Sequence, residues 1–186
     1  RAKILMRDQK SIRQWEQKNL RGLRKELNSE TCLCCFSRIA NDILMWSHYA
    51  NYHKGICICF SYKIKKHKDF FGKIYNVKYS ENNSLPKFNF YKENFSNFRK
   101  KILLTKARHW KYEKECRGID LDSNVGYRKI PEGVIDSVIL GAKFGKWHLK
   151  FVKEIKEVYN KNKPLKIYKA KLDHTKYRLV IDKINL

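Results

Sequence analysis

The sequence predicts an α+β fold, in which a mostly antiparallel mixed sheet is flanked by amphipathic helices. Apolar residues recur at every second position in some stretches and at every third or fourth in others, and the two kinds are interspersed along the chain. These periods are typical of half-buried strands and of helices with one buried face. With 186 residues, of which 42% are hydrophobic, the chain can bury a core. We expect an N-terminal helical segment, residues 1–30, and a single α+β domain, residues 31–186.

The first half of this domain is predicted to hold three strands and one short helix. The helix is capped by Asn41 or Asp42 and runs to about Tyr49. The segment before it is short, apolar and rich in cysteine, which is typical of a buried strand. The segment after it has apolar or nearly apolar residues on both faces, which favours a central strand. The predicted strands are 31–37, 56–62 and 74–79.

The second half is predicted to hold two longer helices and four strands. Aromatic and aliphatic residues spaced by three and four predict an amphipathic helix over 88–106. A second helix is predicted over 146–160, and Pro164 prevents its continuation. The strands are predicted at 118–121, 134–141, 165–172 and 177–184, the last two alternating clearly between apolar and polar residues.

Six cysteines stand at positions 32, 34, 35, 57, 59 and 116. Their C-x-C spacing differs from the C-x₂₋₄-C pairs that hold structural zinc. Free cysteine is also among the residue types most often buried. We therefore expect reduced cysteines that act as small apolar side chains in two buried strands, and no metal site.

The charge is strongly basic, with a net value of +24 from 42 basic and 18 acidic residues. Such a field attracts phosphate-bearing partners, so a nucleotide or a nucleic acid is the expected partner. The alternative is that the lysines are spread evenly over a solvated surface and form no binding site. The apolar runs are shorter than the ~18–20 residues of a membrane span and no signal peptide is visible, so we expect a cytoplasmic protein without membrane contact.

The stretch from Leu44 to Phe60 concentrates side chains that can do chemistry. His48 and Tyr49 are candidate catalytic residues, His48 as an acid–base group. Trp46, Ser47, His53 and Lys54 are candidate substrate-binding residues. Successive helical residues lie ~100° apart, so these side chains cannot share one face. The alternatives are a buried histidine bonded to a backbone carbonyl and a turn in which Gly55 supplies a positive φ.

A second stretch, Trp110 to Arg117, is predicted to complete the site. In an extended chain, Glu113, Glu115 and Arg117 would share one face. Glu113 and Glu115 are the candidate catalytic carboxylates, and Trp110, Tyr112 and Arg117 are candidate substrate-binding residues. The alternative is a surface ladder of ion pairs, which would contribute little to stability. A buried carboxylate beside arginine is costly, so burial would favour a functional role.

These residues resemble a bacterial family of domains of unknown function, numbered two-nine-seven-one. The resemblance is carried by Leu44–Ala50 (LMWSHYA), His53–Cys57 (HKGIC) and the Trp110-x-Tyr112-Glu113-x-Glu115-x-Arg117 pattern. Position 116 departs from it, because the family commonly has an aromatic residue where this chain has Cys116. Family members usually begin with a Tyr-rich strand and an Asn-Asp-Pro-like stretch, and that segment resembles the opening of ADP-ribosyltransferase-like domains. Since this chain begins at Arg1, we expect its true N-terminus upstream.

We expect a nucleotide- or NAD-directed transferase or hydrolase with a His-Tyr-Glu cleft, in a defence or toxin setting. NAD or another nucleotide is the cofactor or substrate that this arrangement suggests. The chain lacks a Gly-rich phosphate loop, a G-x-S-x-G elbow and an HExxH motif, which argues against the common triphosphatase and hydrolase classes. The alternative is a non-catalytic basic module that binds nucleic acid.

Overall fold

The computed structural model describes residues 17–18, 21–22, 25, 31–62, 70–87, 94–120, 127–145, 149–159 and 165–185. The helices are α1 (Ile43–Tyr49), α2 (Phe95–Leu103) and α3 (Leu149–Tyr159), with a 3₁₀ helix over Arg108–Glu113. The strands are β1 (Cys32–Ser37), β2 (Ile56–Phe60), β3 (Lys73–Asn76), β4 (Lys78–Ser80), β5 (Thr105–Ala107), β6 (Glu115–Asp120), β7 (Ile135–Leu140), β8 (Lys166–Leu172) and β9 (Leu179–Ile184).

The predicted α+β class is confirmed, with the described strands divided over separate sheets. One sheet has the order β1-β6-β3, another the order β2-β7-β8-β9, and β4 and β5 form a two-stranded ribbon. Pairing is parallel in β4–β5 and β7–β8 and antiparallel in the other described pairs. Both larger sheets contribute to the cleft described below, since β1 and β2 are edge strands of their sheets in the described part of the chain.

The four-stranded sheet lies between helices α1 and α3. Strand β7 alternates, so that Ile139 packs with Trp46 and Ala50 on the α1 side. Val138 and Leu140 pack with Val152 of α3 on the other side. Because successive side chains of a strand point to opposite faces, one strand supplies apolar residues to both helices.

Helix α1 begins where the sequence predicts, because the Asp42 carboxylate accepts a hydrogen bond from the Met45 N–H at 3.0 Å. The turn after α1 differs from the prediction. Asn51, Tyr52 and His53 take the left-handed conformation, with φ of 45°, 51° and 69°, rather than Gly55. A second glycine is required nearby, since a Cβ on Gly141 would lie 2.1 Å from the His53 carbonyl oxygen.

Three expectations about the elements are revised or fall outside the described residues. The predicted helix 88–106 is helical over Phe95–Leu103, and residues 105–107 instead form β5 beside β4. Residues 88–93 and the predicted N-terminal segment 1–30 lie outside the described residues, except that 17–18, 21–22 and 25 are helical. Strand β1 is not buried as predicted: Cys34 and Cys35 are exposed, and β1 lies at the edge of its sheet in the described part of the chain. Among the described helices, none is long and apolar enough to cross a membrane.

Candidate active-site cleft

A cleft of about 820 Å³ opens where the two larger sheets meet. Its volume lies within the roughly 300–1,000 Å³ of small-molecule sites. Strands β1, β2 and β6 line it, together with residues of α1, β5 and the 3₁₀ helix at one end. That end is polar and is lined by Tyr49, Lys106, Glu113, Glu115 and Arg117.

Three phenylalanines also line the cleft. Phe36 of β1, Phe60 of β2 and Phe71 meet edge to face, with ring centroids 5.0–5.7 Å apart. Edge-to-face packing fixes the rings in place, because it is a favoured geometry for aromatic pairs. Phe36 pairs with Cys116, so it points to the other face of the β1–β6 pair from Glu115 and Arg117.

The charged end is built around two buried carboxylates, Glu113 and Glu115, which are 3% and 5% exposed. The Lys106 ammonium bridges them: it binds a Glu113 oxygen and donates to Glu115 Oε2 at 2.9 Å. The Tyr49 hydroxyl donates to Glu113 Oε1 at 2.8 Å. Burial of charge requires such partners, so the network holds each carboxylate in one position.

Glu115 is the more completely bonded of the two carboxylates. Arg117 donates two hydrogen bonds to it, from Nε at 2.7 Å and from Nη2 at 3.2 Å, and Lys106 donates a third. Burial alone would raise the pKa of Glu115, but hydrogen bonds from Arg117, Lys106 and Cys35 outweigh it and lower that pKa to about 2. Glu115 is therefore a fixed negative charge at neutral pH.

The same carboxylates shift the pKa values of Tyr49 and Lys106. The hydrogen bond to Glu113 is the main cause that raises the pKa of the Tyr49 hydroxyl, with burial second. Burial opposes the charge on Lys106, yet hydrogen bonds to Glu113 and Glu115 raise the pKa of its ammonium. At neutral pH, a phenol and an ammonium thus both face Glu113.

The extended geometry predicted for Glu113, Glu115 and Arg117 is wrong at its first residue. Glu113 ends the 3₁₀ helix, and Lys114 follows in the left-handed conformation at φ 44° before β6 begins at Glu115. This turn changes the direction of the chain between Glu113 and Glu115. Both carboxylates nevertheless contact the Lys106 ammonium. The two predicted acids thus lie close together, but the backbone at Glu113 differs from the predicted strand.

Four of the predicted site residues line the cleft: Tyr49, Glu113, Glu115 and Arg117. His48, Trp110 and Tyr112 lie outside its lining and instead face one another. The Tyr112 ring centroid is 6.5 Å from that of His48 and 6.1 Å from that of Trp110. The structure therefore brings the tyrosine and the glutamates together in the cleft and leaves the histidine beside it.

The other four predicted residues hold the fold or face a different groove. Trp46 is buried in the core and donates from Nε1 to the Ala40 carbonyl at 2.7 Å. The Ser47 hydroxyl donates to Ile43 O and lies 3.0 Å from His53 Nε2, so this nitrogen carries the proton of a neutral ring. Burial is the main cause that lowers the pKa of His53. Lys54 is exposed and lines a smaller apolar groove beside α3.

Lys106 and the cleft cysteines were not predicted as site residues. No local pattern distinguishes Lys106 among 42 basic residues, although two buried carboxylates require a cation nearby. Cys35, Cys57, Cys59 and Cys116 also line the cleft. A hydrogen bond from the Cys57 thiol lowers the pKa of Cys59, and the same contact raises that of Cys57.

A family model described as a protein of unknown function (DUF2971) matches residues 45–118. The chain resembles that family over a range that begins in α1 and ends in β6. This range contains the whole charged end of the cleft, from Tyr49 to Arg117. No curated protein and no solved structure matches the chain.

Proposed function

We propose that the cleft binds a dinucleotide such as NAD and that Glu113 promotes cleavage of its N-glycosidic bond. One observation carries the proposal: Tyr49, Lys106 and Glu113 form a hydrogen-bonded group in a cleft that aromatic side chains also line. A buried carboxylate held by specific partners in a cleft is a typical catalytic arrangement. The network is the Tyr–Glu part of the group expected from the sequence, with Lys106 as its cation.

The cleft offers complementary surfaces for the parts of such a substrate. The rings of Phe36, Phe60 and Phe71 suit a flat heterocycle, which packs well against aromatic side chains. Arg38 and Lys106 also line the cleft and supply positive charge for a pyrophosphate. The charged end then receives the ribose whose C1′–N bond is to break.

The reaction that fits these groups is transfer of the ribosyl unit to water or another hydroxyl. The C1′–N bond breaks, its electron pair goes to the pyridinium nitrogen, and nicotinamide leaves as a neutral molecule. The oxygen of the acceptor bonds to C1′, and its proton passes to Glu113 as general base. A carboxylate beside the ribose also stabilises the positive charge that develops on the sugar.

Glu115 and Arg117 act through Glu113 rather than on the substrate. The Arg117 fork fixes Glu115, and Glu115 shares Lys106 with Glu113. Lys106 therefore holds both carboxylates in place. Tyr49 holds the orientation of Glu113 through its hydroxyl. We assign Glu115, Arg117 and Tyr49 to positioning.

Nicotinamide release from NAD, followed by chromatography, tests the proposal. The wild-type chain should release nicotinamide, and Glu113→Gln should lower kcat by about 10²-fold or more. Glu81→Gln is the matched control, since Glu81 is 69% exposed at its side chain and pairs with Arg108 on the surface. Calorimetric titration of Glu113→Gln with NAD separates lost chemistry from lost binding.

The proposal also predicts toxicity, because an enzyme that consumes a nucleotide cofactor stops growth. Expression of the wild-type chain should arrest a bacterial host and lower its NAD content, whereas Glu113→Gln should do neither. This outcome would fit a defence or toxin setting. A chain that neither binds nor cleaves NAD or related dinucleotides would overturn the proposal.

A further inference from the structure

A row of aromatic side chains lies outside the cleft, beside its charged end. The rings of His48, Tyr112 and Trp110 follow one another with centroids 6.5 and 6.1 Å apart and planes tilted by 39° and 37°. His48 is exposed and Trp110 is 39% exposed. None of these three rings belongs to the two core clusters of the described residues.

Basic side chains run along the same 3₁₀ helix. A 3₁₀ helix has three residues per turn, so Arg108 and Lys111 lie above one another on one edge. Lys114 caps this helix, and its carbonyl accepts a hydrogen bond from Arg38 Nε at 3.3 Å. Arg108, Lys111, Lys114 and Arg38 are exposed. The helix therefore joins a basic edge to the aromatic row.

We propose that this aromatic–basic ridge, made of His48, Trp110, Tyr112, Arg108, Lys111, Lys114 and Arg38, binds single-stranded nucleic acid. Aromatic rings stack on unpaired bases, and cations beside them neutralise the phosphates. A duplex hides the faces of its bases, so the rings favour single strands. The net charge of +24 supplies the attraction over longer distance.

Acidic groups near the ridge do not cancel its charge. Glu113 and Glu115 are buried and paired with Lys106 and Arg117. Glu81 pairs with Arg108 at 3.3 Å, but both side chains are well exposed, and such pairs exchange readily for a phosphate contact. Asp42 interacts electrostatically with Tyr112, and its carboxylate caps α1. The ridge therefore presents positive charge to solvent.

The ridge adjoins the cleft and shares Arg38 with its lining. The Lys106 ammonium lies 5.0 Å from the centre of the Trp110 ring and also lines the cleft. The inference does not depend on cleavage of a dinucleotide. Failure of nucleic-acid binding by the ridge is distinguishable from failure of dinucleotide cleavage in the cleft, because Glu113→Gln should leave nucleic-acid binding intact.

Fluorescence anisotropy with labelled single-stranded DNA, single-stranded RNA and duplex DNA tests the charged edge. The triple variant Arg108→Gln, Lys111→Gln, Lys114→Gln should weaken binding and reduce the slope of log K against log salt by about 2. The matched control removes three exposed lysines elsewhere, at Lys150, Lys153 and Lys176. It should change the affinity and slope much less.

Single substitutions test the rings. Trp110→Ala and His48→Ala should each weaken single-strand binding by about tenfold while leaving the salt slope unchanged, since a ring stacks without neutralising phosphate. Tyr177→Ala is the control, because Tyr177 is a fully exposed aromatic residue far along the sequence. His48→Ala keeps the test decisive if Trp110→Ala does not fold, as circular dichroism would reveal.

Three results would overturn the inference. One is the absence of single-strand binding at low salt. Another is equal affinity for duplex and single strands, which would indicate phosphate attraction without stacking. The third is an equal loss from the ridge variant and from the Lys150, Lys153, Lys176 control, which would assign binding to total charge. Comparison of DNA with RNA identifies which single strand the ridge prefers.

Discussion

The two sides of helix α1 differ in what they contact. On the inner side, Trp46 is 3% exposed and packs into the four-stranded sheet, while Ser47 holds the neutral ring of His53. On the outer side, Met45 and Tyr49 line the cleft, and Tyr49 is 63% exposed. Four consecutive residues, Trp46 to Tyr49, thus divide between packing, hydrogen bonding to a turn, an outer surface and a candidate site.

This difference teaches that a cluster of reactive residue types in sequence is not a site in space. Helical rotation of ~100° per residue separates neighbours. The residues that meet at the charged end of the cleft come from four elements, α1, β5, the 3₁₀ helix and β6. Changes on the inner side of α1 should therefore lower stability, whereas changes on the outer side should alter chemistry and leave stability nearly unchanged.

The largest expected effect on stability is at Trp46. Trp46→Ala should lower the free energy of unfolding by about 3–5 kcal/mol, because it leaves a cavity against Ile139 and Ala170. It also removes the donor to the Ala40 carbonyl. Urea unfolding followed by circular dichroism measures the change. A loss below about 1 kcal/mol would contradict the assignment of this side to the core.

The next effect concerns Glu115, which belongs to the positioning network. Glu115→Ala should cost about 3 kcal/mol, the low end for breaking a buried ion pair, since Lys106 and Arg117 are partly accessible to water. Glu81→Ala, in a surface pair, should cost under about 1 kcal/mol in the same experiment. Similar losses for the two variants would indicate that burial of Glu115 has no energetic consequence.

The pH dependence separates His53 from Glu115. His53 has a folded pKa below its ordinary 6.5, so the unfolded chain binds a proton first as the pH falls below that value, and stability then declines. Glu115 has a folded pKa of about 2 against an ordinary 4.5, so its contribution is complete above 4.5 and is lost as the pH falls toward 2.

Unfolding of wild type and His53→Gln across this range provides the measurement. The variant should lack the decline that begins near 6.5 and keep the one that begins near 4.5. An unchanged profile in His53→Gln would show that the buried ring does not titrate with folding. Its Nδ1 has no hydrogen-bond partner among the described residues, which explains why a second proton is disfavoured there.

The smallest stability effect is expected at Tyr49. Tyr49→Phe should change the free energy of unfolding by less than about 1 kcal/mol, since the ring is largely exposed and one hydrogen bond is lost. Its turnover of NAD should nevertheless fall, because Glu113 loses its orienting donor. A variant with wild-type kcat and KM would remove Tyr49 from the positioning group.

Local signals predicted much of the fold and part of the site. The Asp42 cap and the paired strands β8 and β9 follow from residues adjacent in sequence. The 3₁₀ turn before Glu115 and the end of α2 at Leu103 depend on strand pairing between β4 and β5, which no local pattern indicates. Lys106 joins the site only because that pairing places it beside two carboxylates from later in the chain.

The comparison is tested most directly by NAD turnover in two single variants, one from each group of residues. At neutral pH, Glu113→Gln should lower kcat by about 10²-fold or more while binding NAD, and His53→Gln should keep a kcat close to wild type. This result would place the chemistry on the cleft side of α1. Equal turnover in wild type and Glu113→Gln would contradict the account.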